Sequence, residues 1–414
     1  MNIKHRQTCR ICGNKHLTDV IDLGEQFFQG SFVKDGVPDP PTRKTPNKIV
    51  RCDTSQDENA CGLVQTSCSV PPEILYTNYW YQSGISQTMK DHLRGIVEEA
   101  LSITKLSKGR VLDIASNDNT LLRNYPNSFK KWGIDPSDIA RKQTDADITV
   151  VNDTFPTKDL SCETTFDIIT SIACYYDVED PTAFAIDIKN RLTNDGIWIF
   201  EVAYWPSMLD NLAYDSIVNE HIIHYHLAPL ETMLRSVGLK VFNAVKTATN
   251  GGSIKVHVCH QGCCTYDEDE SKKALNKLRM EEFEAHLDDD STYTSFRERV
   301  ECQKQELLAL ISSIQEEGKT IHIYGASTKL NTILGYCDIG PEIIKYAAER
   351  SPEKWGAKTI SGIELISEEE SRAMKPDYYL VGPYHFKKEI LEREKEALAQ
   401  GTKFIFPLPH LSVE

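Results

Sequence analysis

"RVLDIASNDNTLL", residues 110–122, decides the fold. Val111, Leu112 and Ile114 make a short buried strand. The small and polar residues Ala115–Asn119 make a loop, and "TLLRNY" is expected to start a helix. Three more apolar, strand-like runs follow: "KWGIDPS" (131–137), "FDIITSIA" (166–173) and "GIWIFEVAY" (196–204). Helical stretches separate most of them. Strands alternating with helices imply a mostly parallel sheet with helices on both faces, an α/β class. Upstream, "SQTMKDHLRGIVEEALSITKL" has apolar residues at helical spacing, with Ser86 as its cap.

A second α/β pattern lies further on. "TIHIYGASTKLNTILGYC" (320–337) reads as strand, glycine turn and helix. Residues 343–367 contain another strand, "DYYLVGPYHFKKEIL" repeats the strand-to-helix theme, and "KFIFPLP" is a last strand. Between the two patterns, residues 266–318 are charged and helical and read as a connector. At 414 residues the chain is too long for one compact core, so two or three domains are expected. The boundaries expected are 1–70, 71–262 and 263–414.

Hydrophobic residues at 40% and charged residues at 26% place the chain in the globular class. A net charge of -15 disfavours nonspecific binding to nucleic acid or anionic membrane. No apolar run is long enough to span a bilayer, and the start "MNIKHRQTCRICG" lacks a signal-peptide core. A cytoplasmic location follows as the default. The twelve cysteines then read as reduced thiols or metal ligands.

Four of them cluster early. Cys9 and Cys12 form "CRIC", and Cys52 and Cys61 bracket "DTSQDENA". A C-x2-C knuckle supplies two thiolates from one turn, and a later pair can close a zinc tetrahedron. The eight residues between Cys52 and Cys61 must loop out, and Cys68 is a spare fourth ligand. Buried thiols without metal are the alternative.

In an open parallel sheet, ligands bind where loops leave the carboxyl ends of the strands. Asp113, Ala115, Asn117 and Asn119 form such a loop. Asp135, one strand later, is placed to accept hydrogen bonds from two ribose hydroxyls, and Ser171 ends the strand after that. An anionic nucleotide would sit badly beside Asp113, Asp118 and Asp135. The cationic sulfonium of S-adenosyl-L-methionine would not.

Taken in order, "CRICG" with its later cysteine pair and "GLVQT", "YWYQSGISQTMKDH", "VLDIASNDNTLL", "GIDPS", "IFEVAYW", "NEHIIHYHLAPLETMLRSVGLKVF", "NGGSIKV", "IYGASTKLNTIL" and "FIFPLP" resemble the C-methyltransferases of nucleotide-linked 4-keto deoxysugars. The resemblance covers nearly the whole chain. It implies an N-terminal zinc-binding module, a class I S-adenosylmethionine-dependent methyltransferase domain of Rossmann-like fold and a C-terminal Rossmann-like domain that helps close over the substrate, a nucleoside-diphosphate sugar. No nucleic-acid or membrane partner is expected, and the chain is expected to act as a monomer or homodimer.

The resemblance also assigns roles to residues. In "NEHIIHYH" (219–226), Glu220 and His221 match the family's pair at the sugar, with His221 the base that removes a proton from C3 beside a C4 ketone. Glu220 orients the imidazole or bonds a sugar hydroxyl, and Asn219 beside it is expected to bind the substrate. A metal reading for His221, His224 and His226 is weak, since no single regular element presents all three. Tyr81 and Ser83 match a "YxSG" stretch whose tyrosine approaches the ketone; aromatic packing of Tyr76, Tyr79, Trp80 and Tyr81 is the alternative. Asn250 and Gly251 approach the substrate or simply make a turn. Ser327, at a helix N-terminus, with Lys329 and Arg350, suits a diphosphate, and Lys354 adds charge nearby.

The chain departs from the family in places. Ala115 and Asn119 replace loop glycines, Val218 and His224 replace tyrosines, and Tyr175 stands where a histidine is common. Tyr175 or His224 is therefore a second candidate for the proton work. Two rivals remain: an epimerase using the same base without methyl transfer, and a noncatalytic zinc- and nucleotide-binding scaffold.

Overall fold

The computed structural model describes residues 3–36, 43–76, 80–161 and 163–414. Tyr79, one of the expected aromatic cluster, lies outside them.

The stretch that opens the sequence reading forms the strand Gly109–Ile114, in the interior of a seven-stranded sheet. Numbered along the chain, the seven are Gly109–Ile114, Phe129–Ile134, Ile148–Val151, Phe166–Ile172, Leu192–Ala203, Leu239–Thr247 and Ser253–His260. Their order across the sheet is 3-2-1-4-5-7-6, the seventh antiparallel to the fifth and sixth and the first five parallel. This is the class I methyltransferase arrangement. The order reverses between strands 1 and 4, which opens a ligand crevice at their carboxyl ends. One face packs the helix Gln87–Thr104 through Leu93, Ile96, Val97 and Ala100. Ser86 caps that helix by accepting from the Met89 amide at 3.4 Å, as its sequence implies. The other face carries Trp198, Phe200, Tyr175 and Tyr225.

"TLLRNY" does not start an α-helix. Leu122–Asn124 is a single 3-10 turn. Pro126 follows Tyr125 directly and disfavours helical backbone in the residue before it.

The second α/β pattern gives five parallel strands, Ile321–Tyr324, Tyr346–Glu349, Glu364–Ser367, Tyr378–Val381 and Lys403–Phe406, in the order 3-2-1-4-5. The connector is two helices, Asp269–Glu284 and Asp290–Glu316. The N-terminal residues form an antiparallel sheet from Leu17–Gln26, Thr45–Cys52 and Val64–Thr66. Its outer strand is Ile223–His224, donated by the "NEHIIHYH" stretch, and Phe32–Val33 joins the edge of the C-terminal sheet. The three sequence regions therefore interlock through their strands. Among the described residues, no helix is long and apolar enough to cross a membrane.

Candidate active site and metal centre

The loop Ala115–Asn119 turns sharply. Ala115, Asn117 and Asn119 have φ of 60°, 51° and 60°. The turn is held by the Ala115 amide donating to the Ile134 carbonyl at 2.7 Å and by the Asn117 amide donating to Asp135 Oδ2 at 2.9 Å. The Ser137 amide donates to Asp135 Oδ1 at 2.8 Å, so the carboxylate is fixed with lone pairs to spare for ribose hydroxyls. Ser116 Oγ and Asn119 Oδ1 are buried without a partner. Asp113 accepts from Thr170 Oγ1 at 2.6 Å, and burial pushes its carboxyl up to about 7. An acid-lined turn with fixed amides fits an adenosine carrying a sulfonium.

Left-handed backbone costs a non-glycine residue about 1–2 kcal/mol. Asparagine bears this better than alanine. Ala115→Gly is therefore expected to raise stability by about 0.5–1 kcal/mol, after allowing for glycine's freer unfolded chain. A rise in the urea midpoint at unchanged slope is the check.

The "YxSG" stretch covers this loop. The Ser83 and Gly84 amides donate to Asn117 Oδ1 at 3.0 Å and Asp118 Oδ2 at 2.8 Å, and Asn117 Nδ2 donates to the Tyr81 carbonyl at 3.0 Å. Tyr81 is 47% exposed, whereas Trp80 packs edge-on against Phe32 at 5.7 Å.

His221 stands where the central and C-terminal regions meet. Its Nδ1 lies 3.0 Å from the Ser216 carbonyl. A carbonyl only accepts, so Nδ1 carries the proton and Nε2 the free lone pair. The ring packs on Tyr176 at 4.1 Å between centroids. Burial, then the nearby charge of Lys329, pushes the imidazole down to about 4, so it is neutral at pH 7. The Ser216 carbonyl, not Glu220, orients the ring. Glu220 instead lies against Gly30, where an added Cβ would clash with its Oε1. Burial raises the Glu220 carboxyl to about 7, and the buried Asp177 carboxyl is raised by its own burial and by Glu220.

Lys329 Nζ donates to the Asn250 carbonyl, and Asp215 is its nearby counter-charge. Tyr384 donates to Asp215 Oδ1 at 3.2 Å, while Asp215 Oδ2 is buried without a partner. Asn250, at φ 55°, and Gly251, at φ 89°, form the turn between two antiparallel strands, so the turn reading holds and the same turn meets Lys329. Ser327 caps the helix Thr328–Tyr336, accepting from the Leu330 amide at 3.2 Å. No sequence motif marks Asp215, Tyr384 or Asp177; they lie in 3-10 turns that only the tertiary fold brings inward.

Several expected residues stand apart from this cluster. Tyr175 is in the aromatic core, its hydroxyl donating to the Pro181 carbonyl at 2.8 Å. Ser171 accepts from Trp198 Nε1 at 2.9 Å. Arg350 is exposed. His224 is buried beside Trp205, both ring nitrogens without partners, and burial pushes it down to about 3. Asn219 spends its backbone N–H on Gln29 Oε1 at 3.1 Å and its side-chain amide on Thr45 Oγ1 at 2.9 Å. A further pair, His92 Nε2 with the buried Glu201 carboxylate, joins two of the sequence motifs.

The metal centre is compact. The Sγ atoms of Cys9, Cys12, Cys52 and Cys61 all lie within 4.8 Å of one another, with Cys9–Cys61 and Cys12–Cys52 both at 3.5 Å. Zinc–sulfur bonds near 2.3 Å in a tetrahedron place sulfurs about 3.8 Å apart, so the four fit a zinc ion with no open position. The long excursion is folded down by Asp57, which accepts from Asn14 Nδ2 at 2.8 Å and from the Asn59 amide at 2.8 Å. Cys68 is not a ligand; its thiol donates to the Pro46 carbonyl at 3.3 Å. Among the described residues, no group of three or more histidines, cysteines or acids besides these four could hold a metal, so the three histidines of "NEHIIHYH" do not form a site.

Three family models match in order: a domain described as zinc binding over residues 9–76, a methyltransferase domain over 86–244 and a C-methyltransferase C-terminal domain over 248–409. The C-methyltransferase NovU of Streptomyces niveus is 26% identical over 411 residues, spanning 97% of this chain and 95% of its own. Among solved structures, an S-adenosylmethionine-dependent methyltransferase from Clostridium acetobutylicum is 15% identical over 43% of this chain and 94% of its own, with a TM-score of 0.33. The magnesium protoporphyrin IX methyltransferase of Synechocystis, solved with bound SAH, is 12% identical over 42% of this chain and 88% of its own, with a TM-score of 0.35. The chain thus carries a zinc-binding domain, a methyltransferase domain and a C-methyltransferase C-terminal domain in that order, the build of an S-adenosylmethionine-dependent C-methyltransferase.

Proposed function

We propose that this C-methyltransferase acts on a nucleotide-linked 4-keto deoxysugar, at C3, with His221 as the base. One observation carries the reading: Nδ1 of His221 is committed to the Ser216 carbonyl, which leaves Nε2 as a neutral, unprotonated acceptor. The ketone at C4 acidifies the C3 hydrogen. His221 Nε2 takes that proton, and the C–H electrons become the enolate. Lys329, whose charge reaches His221, favours the negative oxygen. Bound S-adenosyl-L-methionine supplies an electrophilic methyl on a sulfonium. That methyl would pass to C3 and leave S-adenosylhomocysteine in the site formed by Asp135 and the Ala115–Asn119 loop; the C4 ketone returns as the enolate is used, and the His221 imidazolium gives its proton to solvent. Glu220 is left to hold a sugar hydroxyl, Tyr81 to approach the ketone over the cofactor loop, and Ser327 with Arg350 to receive the diphosphate. The same reading divides the chain at residues 70 and 262 and has it work in the cytoplasm as a monomer or homodimer.

The test is mass spectrometry of products from a panel of nucleoside-diphosphate 4-keto-6-deoxysugars incubated with S-adenosyl-L-methionine in deuterated water. A gain of one CH2 at C3 on one member is expected. Deuterium entering C3 without methylation on every member would replace this reading with epimerisation.

A pH dependence follows from Glu220. Its carboxyl is raised to about 7, so it is mostly neutral below that pH and becomes an acceptor above it. The ratio kcat/KM is expected to rise with pH through about 7 and then level, and Glu220→Gln to flatten this limb at a lower value. A wild-type profile flat from pH 6 to 8 would remove Glu220 ionisation from the mechanism.

A further inference from the structure

The residues just before His221 are not held by the methyltransferase domain alone. Gln26, Gln29, Thr45 and Asn47 come from the segment between the zinc ligands Cys12 and Cys52, and all four residues are at most 2% exposed. Gln29 Oε1 accepts the Asn219 backbone N–H at 3.1 Å, and Gln29 Nε2 donates to Gln26 Oε1 at 2.9 Å. Asn47 Nδ2 donates to the Ile217 carbonyl at 2.8 Å, and Asn219 Nδ2 donates to Thr45 Oγ1 at 2.9 Å. The same hub reaches the third region. Asn331 Nδ2 donates to the Gln29 carbonyl at 2.6 Å and Gln26 Nε2 to the Thr332 carbonyl at 3.5 Å, both on the helix that bears Lys329. Next to Gln29, the missing side chain of Gly30 makes room for the Glu220 carboxyl.

Buried amides are expensive to desolvate, and apolar side chains of the same size would pack the junction at lower cost. Amides give what apolar side chains cannot: each fixes one backbone group at one distance and direction. Here the fixed groups are the Ile217 carbonyl and the Asn219 N–H on one side and the Lys329 helix on the other. We propose that Gln29, with Gln26 and Asn47, is a positioning centre through which the N-terminal module sets His221 and Glu220 in register with Lys329. The N-terminal module then serves the reaction directly, though none of its hub residues touches the reacting atoms. This rests on the reading of His221 as base.

The test uses the full-length, zinc-loaded chain. Gln29→Leu keeps the volume and removes the amide. Misplacing reacting groups by about 1 Å costs on the order of a hundredfold in rate. The variant is therefore expected to lose at least tenfold in kcat on the best keto-sugar of the panel, with affinity for S-adenosylhomocysteine unchanged by calorimetry. Gln29→Glu, which keeps an acceptor for the Asn219 N–H, is expected to recover part of that loss. Two readouts need no substrate: faster amide hydrogen exchange at residues 217–222, and an NMR titration of the His221 ring moved up towards an ordinary imidazole as water enters. Asn331→Ala, at a half-buried position that tolerates truncation, tests the link to the Lys329 helix if Gln29→Leu fails to fold. Unchanged kcat, exchange and titration in a folded Gln29→Leu, or in Asn331→Ala, would overturn the proposal. If no panel member is methylated, the substrate reading fails, while exchange and titration still decide the hub.

Discussion

His221→Asn is expected to lower turnover by about 10³-fold while leaving affinity for S-adenosylhomocysteine within about twofold. Asparagine is the informative replacement. Its side-chain amide can still donate to the Ser216 carbonyl, so the local backbone keeps its partner. What it lacks is a basic nitrogen on the substrate side. The Ala115–Asn119 turn with Asp135, proposed to hold the cofactor, belongs to other strands and is untouched. Stability supplies an independent signature. The folded chain holds His221 at about 4, below its ordinary 6.5, so the native state takes up this proton less readily than the unfolded chain. Its contribution is whole above about 6.5 and is lost as pH falls towards 4. His221→Asn removes that loss, so the variant should lose less stability than the parent between pH 6.5 and 4. Wild-type turnover in the variant would mean that another group abstracts the proton.

How far the sequence alone reaches differs between the fold and the site. The alternation of apolar runs with helical stretches is enough for the central sheet, because strands buried on both faces must be continuously apolar. Asp135 and the Ala115–Asn119 loop are legible for the same reason: they sit where strands end, and a sheet fixes where its strands end. Tyr175 misleads. Its place after a central strand suggests the crevice, yet its side chain turns into the aromatic core. Which face a residue takes in a 3-10 turn follows from packing, which no periodicity reports. The contact that Glu220 makes is not legible, because the Gly30 gap that receives it lies far away in the chain. The hub is illegible altogether: Gln29 in "QFFQGSF" carries no pattern, and its meaning comes from the interlocking of three regions.

The sulfur cluster invites the second large effect. Purified protein is expected to contain one zinc per chain, and removing it, by a strong chelator or by Cys52→Ser, should lower the thermal midpoint sharply and abolish methyl transfer. Structural zinc in small modules is worth about 10–16 kcal/mol of apparent binding energy at neutral pH, more than most whole domains have in stability. Cys52 is fully buried and ends the strand Thr45–Cys52, which also carries Thr45 and Asn47. Freeing its sulfur loosens that strand and, with it, the grip on Ile217 and Asn219. The knuckle is tied to the catalytic domain a second time. Arg10, between Cys9 and Cys12, donates to the Thr66 carbonyl at 2.9 Å and pairs with Glu179 at 3.5 Å, a residue of the turn that follows Tyr176 and Asp177. Loss of zinc therefore reaches His221 from two sides, through Asn219 and through the turn that packs on its ring. Binding of S-adenosylhomocysteine, which depends on strands outside the module, should fall less than turnover does. A chain that is metal-free as isolated, melts cooperatively at the same temperature and still methylates would show that the four sulfurs need no ion to hold this junction together.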